Sequence, residues 1–389
     1  MSKQISSVTA VTENFPDGQK ITAAELEFSP SLPSGICAED FRVVGRTITE
    51  MTVEGRSVVL HLDPADADAP VLFQPPRMVS KPEAPVKEKR SGPPRDLPPA
   101  VRRPVQVTVV WEGTAYVSDH SREPVVDQFR QFELNGMAYN LFIPKLEKGK
   151  TYPLVQYIHD AGPCGPDPKL TLSQGYGAIG FAEASWQKEH PCFVLAPQVD
   201  RDNARGPMTN DEFEVTDDFL RVKSILEYVI ANYPVDWKRI YTTGQSMGCM
   251  SSCEFNIRYP NLFAASLLVA GQWSPEKMAA RCPDAKLWIL VSEHDAKAFP
   301  GMNAVTEAME RNGAKVARYR WDGKADPREL SKLAREAMQD DANVRYTVFN
   351  GSTVVPEGVD PNPGANHINT WPVAYSIRGL KEWLFSNSR

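Results

Sequence analysis

The chain has 389 residues, of which 42% are hydrophobic and 24% charged, with a formal net charge of −6. That length exceeds one ordinary core and suits two domains, one of them large. The weak acidic balance gives no basis for nucleic-acid binding, no run approaches the ~20 apolar residues of a membrane span, and the first residues lack a leader pattern, so a cytoplasmic protein is expected.

Residues 1–125 read as an all-β domain. Short, partly alternating segments at 22–28, 41–44, 46–53 and 57–62 are separated by turn residues, and 106–111 reads as a later strand. That is a β-sandwich pattern. Between them, 75–104 holds nine prolines and eight Lys or Arg against three acids. No core can be built from that composition, so an extended, solvated loop is expected.

From 126 onward, strands alternate with helical patterns, and 126–389 reads as one α/β domain. Residues 153–158 form an apolar strand followed by His159-Asp160-Ala161-Gly162, and 193–198 form another. Between 217 and 233, Phe219, Val222, Ile225, Leu226, Val229 and Ile230 make a helical stripe. The strand 239–243 then runs into Gly244-Gln245-Ser246-Met247-Gly248, a GxSxG nucleophile elbow with a small-residue helix behind it. A serine on such a turn needs a strained backbone, and glycines two before and two after leave room for it.

The strand 263–270 ends at Gly271-Gln272-Trp273, placing Trp273 either at the pocket mouth or in the core. The apolar strand 286–292 delivers Glu293-His294-Asp295 at its carboxyl end, where open α/β sheets keep their sites. A charged helix is expected over 322–341, with Trp321 and the helix as further pocket walls. The strand 344–349 leads into a turn-rich loop, 350–366, which delivers His367. His61, His120, His159 and His190 precede the last strands, and His294 reads as a loop residue beside the acid.

The chain order is therefore Ser246, Asp295, His367, the order that α/β-hydrolases use. A hydroxyl is a poor nucleophile until a base takes its proton, a role for His367. Asp295 would hold the useful imidazole tautomer, with Glu293 as the alternative acid. An oxyanion hole is expected from the backbone N–H groups of Met247 and Ala161. His159, Gln245, Trp273 and Trp371 are the candidate substrate-pocket residues, and no metal set or cofactor motif accompanies them.

Together with the triad context, Pro153-Leu154-Val155, the segment 193–198, Asp236-Trp237-Lys238-Arg239-Ile240-Tyr241 and the ending His367-Ile368-Asn369-Thr370-Trp371 with Glu382-Trp383-Leu384-Phe385 carry a family likeness. Residues 126–389 resemble α/β-hydrolase esterases of the predicted-peptidase or polyhydroxybutyrate-depolymerase-like type, some of which carry an N-terminal immunoglobulin-like domain. The resemblance implies a mostly parallel, doubly wound α/β-hydrolase sheet preceded by a small all-β immunoglobulin-like sandwich. It also implies a serine carboxylesterase acting on short-chain or aryl esters without a cofactor, with a small-molecule ester as its partner. The N-terminal domain would serve self-association, as a homo-oligomer, or substrate positioning. Two residues depart from the family pattern: Asp160 stands where His-Gly is usual, and Cys249 replaces a common second glycine.

The same triad would also serve a serine peptidase or an acyltransferase, while a non-catalytic carbohydrate- or partner-binding protein would be expected to have lost a triad member. A propeller-gated peptidase does not fit, because about 125 residues cannot build the gate. The six cysteines (Cys37, Cys164, Cys192, Cys249, Cys253, Cys282) lack zinc spacing and read as reduced, with a Cys164–Cys192 disulfide left open.

Overall fold

The computed structural model describes residues 4–73, 100–200 and 208–389. The N-terminal part opens with a long hairpin, β1 (Gln4–Phe15) and β2 (Gly18–Ser29). It continues through β3 (Phe41–Val43), β4 (Ile48–Glu54), β5 (Ser57–Leu62), β6 (Leu72–Phe73), β7 (Val101–Arg102), β8 (Thr108–Trp111), β9 (Thr114–Val117) and β10 (His120–Arg122). One sheet has the order β10-β1-β2-β5-β4 and a second the order β3-β8-β9. Alternate residues point inward, as Val58, Leu60 and Leu62 do along β5. Val8, Ala10, Leu26, Phe28, Val58 and Leu60 of the first sheet share one core with Phe41, Val43, Val109 and Trp111 of the second.

Of the proline-rich stretch 75–104, residues 75–99 lie outside the described residues. Its end departs from the expected loop. Val101–Arg102 pairs with Leu72–Phe73 as a two-stranded ribbon. Arg102 donates to Ser173 Oγ (3.2 Å) and pairs with the buried carboxylate of Glu123, so a charged side chain is drawn in by a partner far along the chain.

The nine-stranded sheet comprises β11 (Phe129–Leu134), β12 (Met137–Phe142), β13 (Tyr152–Ile158), β14 (Phe193–Pro197), β15 (Val235–Gln245), β16 (Ala265–Val269), β17 (Leu287–Ser292), β18 (Val316–Trp321) and β19 (Val344–Phe349). Its order is β11-β12-β14-β13-β15-β16-β17-β19-β18. β12 runs antiparallel to both its neighbours and the remaining pairs are parallel. Helices α1 (Tyr176–Ala182), α2 (Ala184–Glu189), α3 (Asp217–Asn232), α4 (Met247–Arg258), α5 (Pro275–Arg281), α6 (Ala298–Arg311), α7 (Pro327–Ala337), α8 (Pro363–Ser376) and α9 (Arg378–Phe385) connect or follow the strands.

Helices cover both faces, which is why these strands read as unbroken apolar runs rather than alternating ones. Along β13, Val155 and Tyr157 pack with α1, α8 and α9, whereas Leu154 and Ile158 pack with α3 and α4. Leu268, Ile289 and Val291 face α4, α5 and α6.

The tip of the β1–β2 hairpin docks on the α/β part. Gln19, 1% exposed, bonds Thr12 Oγ1 (2.9 Å), Glu123 (2.8 Å) and Ser173 Oγ (3.0 Å), while Tyr176 donates to the Asn14 carbonyl (3.2 Å). Gly175 lies under this tip at φ +114°, and a Cβ there would sit 2.2 Å from the Pro16 carbonyl oxygen. Cys164 and Cys192 are both buried and neither is disulfide-bonded, so the disulfide left open by the sequence is not formed. Burial pushes the Cys192 thiol up to about 12. Among the described residues, no helix is long and apolar enough to cross a membrane.

Candidate active site

The turn between β15 and α4 holds Ser246 at φ 50°, ψ −116°, a sparsely populated conformation for any residue with a side chain. Two close approaches keep it there. A Cβ on Gly244 would fall 2.5 Å from the Gly248 carbonyl carbon, and one on Gly248 would fall 1.9 Å from the Ile158 carbonyl oxygen. The elbow therefore fits only because both glycines lack side chains, and it presses the helix start against the end of β13. Met247, the first residue of α4, carries one of the N–H groups that a helix leaves unpaired at its N-terminus.

Asp295 follows β17 and is 3% exposed. Its Oδ1 accepts the N–H groups of Lys297 (3.0 Å) and Ala298 (2.9 Å) at the start of α6, which leaves Oδ2 for His367. Desolvation pushes this carboxyl up. The His367 hydrogen bond and charge, together with the two N–H groups, outweigh that effect and hold it below its ordinary value.

His367 stands on α8, not on the loop expected to deliver it. Asn362 caps that helix by accepting the Ala365 N–H (2.9 Å), and Pro363 occupies its first turn. This Asn-Pro start signal was readable in the sequence. One turn in, the imidazole bridges the two other groups. Its Nδ1 lies 2.5 Å from Asp295 Oδ2 and its Nε2 lies 2.9 Å from Ser246 Oγ. The carboxylate calls for the proton on Nδ1, leaving Nε2 as acceptor toward the serine.

The segments carrying acid and histidine are bonded to each other, β17 to α8. Ser292 Oγ lies 2.8 Å from Asn366 Oδ1, and Asn366 Nδ2 donates to Ser352 Oγ (3.1 Å) and the Asn362 carbonyl (3.1 Å). Asn366 is wholly buried. It was missed in the sequence because Ser292, the partner that ties it to the segment carrying the acid, lies 74 residues away. Glu293, the alternative acid, turns away to Arg320 (2.6 Å) and the Gly351 N–H (2.8 Å). His294 bonds Ser352 (2.8 Å).

His159 is fully buried. Its Nε2 accepts the Val199 N–H (3.0 Å), so Nδ1 carries the proton and donates to the Asp160 carbonyl (2.6 Å). Gln245 is likewise buried and donates to Asp160 Oδ2 (3.0 Å). Trp273 is 1% exposed and packs with Phe213, and its indole donates to Glu254 (3.0 Å), which makes it a core residue behind α4. Trp321 is buried among Trp288 and Tyr319, and α7 packs on α9. Trp371 is half-buried and meets the His367 ring edge-on at 5.5 Å. Ala161 is half-buried in the loop after β13. Among the described residues, no group of three or more His, Cys, Asp or Glu is arranged to hold a metal.

No family model matches the chain. It is 25% identical over 241 residues to poly(3-hydroxyalkanoate) depolymerase C of Paucimonas lemoignei, a match spanning 59% of this chain and 54% of that protein. It is 28% identical over 123 residues to acetylxylan esterase A of Aspergillus ficuum, spanning 30% of this chain and 37% of that one. The chain thus matches about half or less of the length of these relatives. A crystal structure of a thermostable esterase superposes with a TM-score of 0.76 over 99% of this chain and 100% of that one, at 23% identity. That likeness shows the fold: an α/β-hydrolase sheet preceded by an all-β region.

Proposed function

We propose that this protein is a serine carboxylesterase hydrolysing short-chain or aryl carboxylic esters through an acyl-enzyme. The single observation that carries the reading is the bridge made by His367 between Ser246 and Asp295. Two relatives bearing the names of ester-cleaving enzymes support it.

In this reading, Ser246 Oγ attacks the ester carbonyl as His367 Nε2 takes its proton. Asp295 keeps the imidazole in the tautomer that accepts at Nε2, and its charge stabilises the imidazolium that results. The tetrahedral oxygen gains negative charge beside the α4 N-terminus, where the Met247 N–H and the Ala161 N–H receive it. His367 then protonates the leaving alcohol, and water repeats the sequence on the acyl-enzyme to release the acid. The Trp371 ring beside His367 borders the approach. Residues 1–125 are read as an immunoglobulin-like unit and 126–389 as the catalytic unit, a division supported by the separate sandwich core.

The test is hydrolysis of p-nitrophenyl esters from acetate to decanoate, with methyl ferulate, by wild type and Ser246→Ala. Turnover peaking at short chains and lost in Ser246→Ala is expected. Activity that survives the substitution would refute the triad.

A further inference from the structure

We propose that Asp160 is a positioning residue, a clamp that joins the oxyanion loop to the nucleophile elbow. The proposal rests on the esterase reading of this site. Asp160 is 4% exposed, and its carboxylate accepts three N–H groups from three chain segments. Oδ1 takes the Gly162 N–H (2.6 Å) within its own loop. Oδ2 takes the Gln245 side-chain amide (3.0 Å), from the residue preceding Ser246, and also the side-chain amide of Gln174, just before the Gly175 cap of α1. Hydrogen bonds to a carboxylate are stronger than those between neutral groups, and three on one carboxylate make a rigid junction.

The backbone of the same residue is anchored from its other side. The Asp160 carbonyl accepts from His159 Nδ1, whose Nε2 is itself held by the Val199 N–H. A peptide unit is planar, so the Asp160 carbonyl and the Ala161 N–H point in opposite directions from one plate. Fixing the carbonyl fixes the direction of that N–H, and the side-chain bond to Gly162 N–H fixes the next plate. The orientation of the loop donor is therefore set from two sides. Glycine at 160 would keep the carbonyl anchor and lose the three side-chain bonds.

Two effects of the carboxylate oppose each other. Its charge, near an oxygen that becomes negative, disfavours the transition state; its bonds hold the donors that favour it. Removing one oxyanion donor costs about 10²–10³ in rate, and an error of ~1 Å in position costs about 10². If the lost geometry outweighs the lost charge, truncating Asp160 slows the enzyme; if the charge outweighs it, truncation speeds it.

The experiment compares wild type, Asp160→Asn and Asp160→Ala on p-nitrophenyl acetate, with active sites counted by fluorophosphonate labelling so that loss of folded protein is removed from kcat. Asp160→Ala is expected to lower kcat per labelled site about 10–100-fold, with KM within about three-fold. The inhibition constant of an aryl trifluoromethyl ketone should rise by a similar factor. Asp160→Asn retains an acceptor for Gly162 N–H and should lose less. Hydrogen exchange supplies a readout independent of turnover: in Asp160→Ala, amides of 159–163 and 244–248 should exchange faster while the β17 amides do not change. A kcat per site equal to or above wild type in Asp160→Ala, or unaltered exchange in both segments, would overturn the clamp. If wild type turns over no ester, the esterase reading fails, and the exchange result alone decides the clamp.

Discussion

Gly248 and Ile158 touch backbone to backbone: the Cβ that Gly248 lacks would lie 1.9 Å from the Ile158 carbonyl oxygen. The contact joins the start of α4 to the end of β13, so the Ser246 turn and the loop 159–162 share one junction. Gly248→Ala must push these backbones apart. It should reduce kcat for p-nitrophenyl acetate at least 100-fold and destabilise the fold by roughly 2–3 kcal/mol, read from urea unfolding. Wild-type kcat in this variant would contradict the assigned contact.

Asp295→Asn keeps the shape of the acid and loses the charge that orients His367. As for triads in general, kcat is expected to fall by about 10⁴ with little change in KM. The same substitution has a stability signature. The folded Asp295 carboxyl is held below its ordinary value, so it contributes stability that is complete above the ordinary carboxylate range and is lost as pH falls through its folded value. The stability gap between wild type and Asp295→Asn should therefore shrink as urea unfolding is taken from pH 6 towards pH 3. A gap constant over that span would exclude the interaction.

Lys381 tests burial of a charge away from the triad. It is 9% exposed, donates to the Gly180 carbonyl (2.8 Å) and lies beside Trp186 and Phe181. Desolvation lowers it from 10.5 to about 8. Between those values the unfolded chain holds more protons than the folded one, so this group makes stability rise with pH across that window. Lys381→Met should be more stable than wild type below pH 8, by up to about 3 kcal/mol less the lost hydrogen bond, with the advantage gone near pH 10.5. Denaturation series at pH 7, 9 and 10.5 check the slope.

The docking of the β1–β2 hairpin predicts a long-range effect. Gly175→Ala would place a methyl group 2.2 Å from the Pro16 carbonyl oxygen at φ +114°. A loss of roughly 2–4 kcal/mol is expected from overpacking and left-handed backbone together. Gly358→Ala, at φ +79° with nothing within 4 Å of its Cβ, is the control and should cost only about 1 kcal/mol. Equal Tm shifts in the two variants would remove the role assigned to the hairpin tip.

Much of this protein was legible in the chain itself because the signals are local. A strand, a glycine-flanked serine and a small-residue helix lie within about twenty residues, and the elbow's backbone strain is encoded in the pentapeptide 244–248. The doubly wound sheet follows from apolar runs buried on both faces, and the order Ser246, Asp295, His367 from where those runs end.

What the tertiary structure decided is which side chains meet. Glu293 and Asp295 are two residues apart on one loop, and only packing turns the first to Arg320 and the second to His367. His159, Gln245 and Trp273 looked like pocket residues by position, yet each is buried with a polar partner supplied by another segment: Val199, Asp160 and Glu254. A buried polar group must find such a partner, and the partner lies wherever the fold brings the chain back. Sequence spacing carries turn geometry and periodicity; the satisfaction of buried hydrogen bonds is settled only when distant segments close on one another.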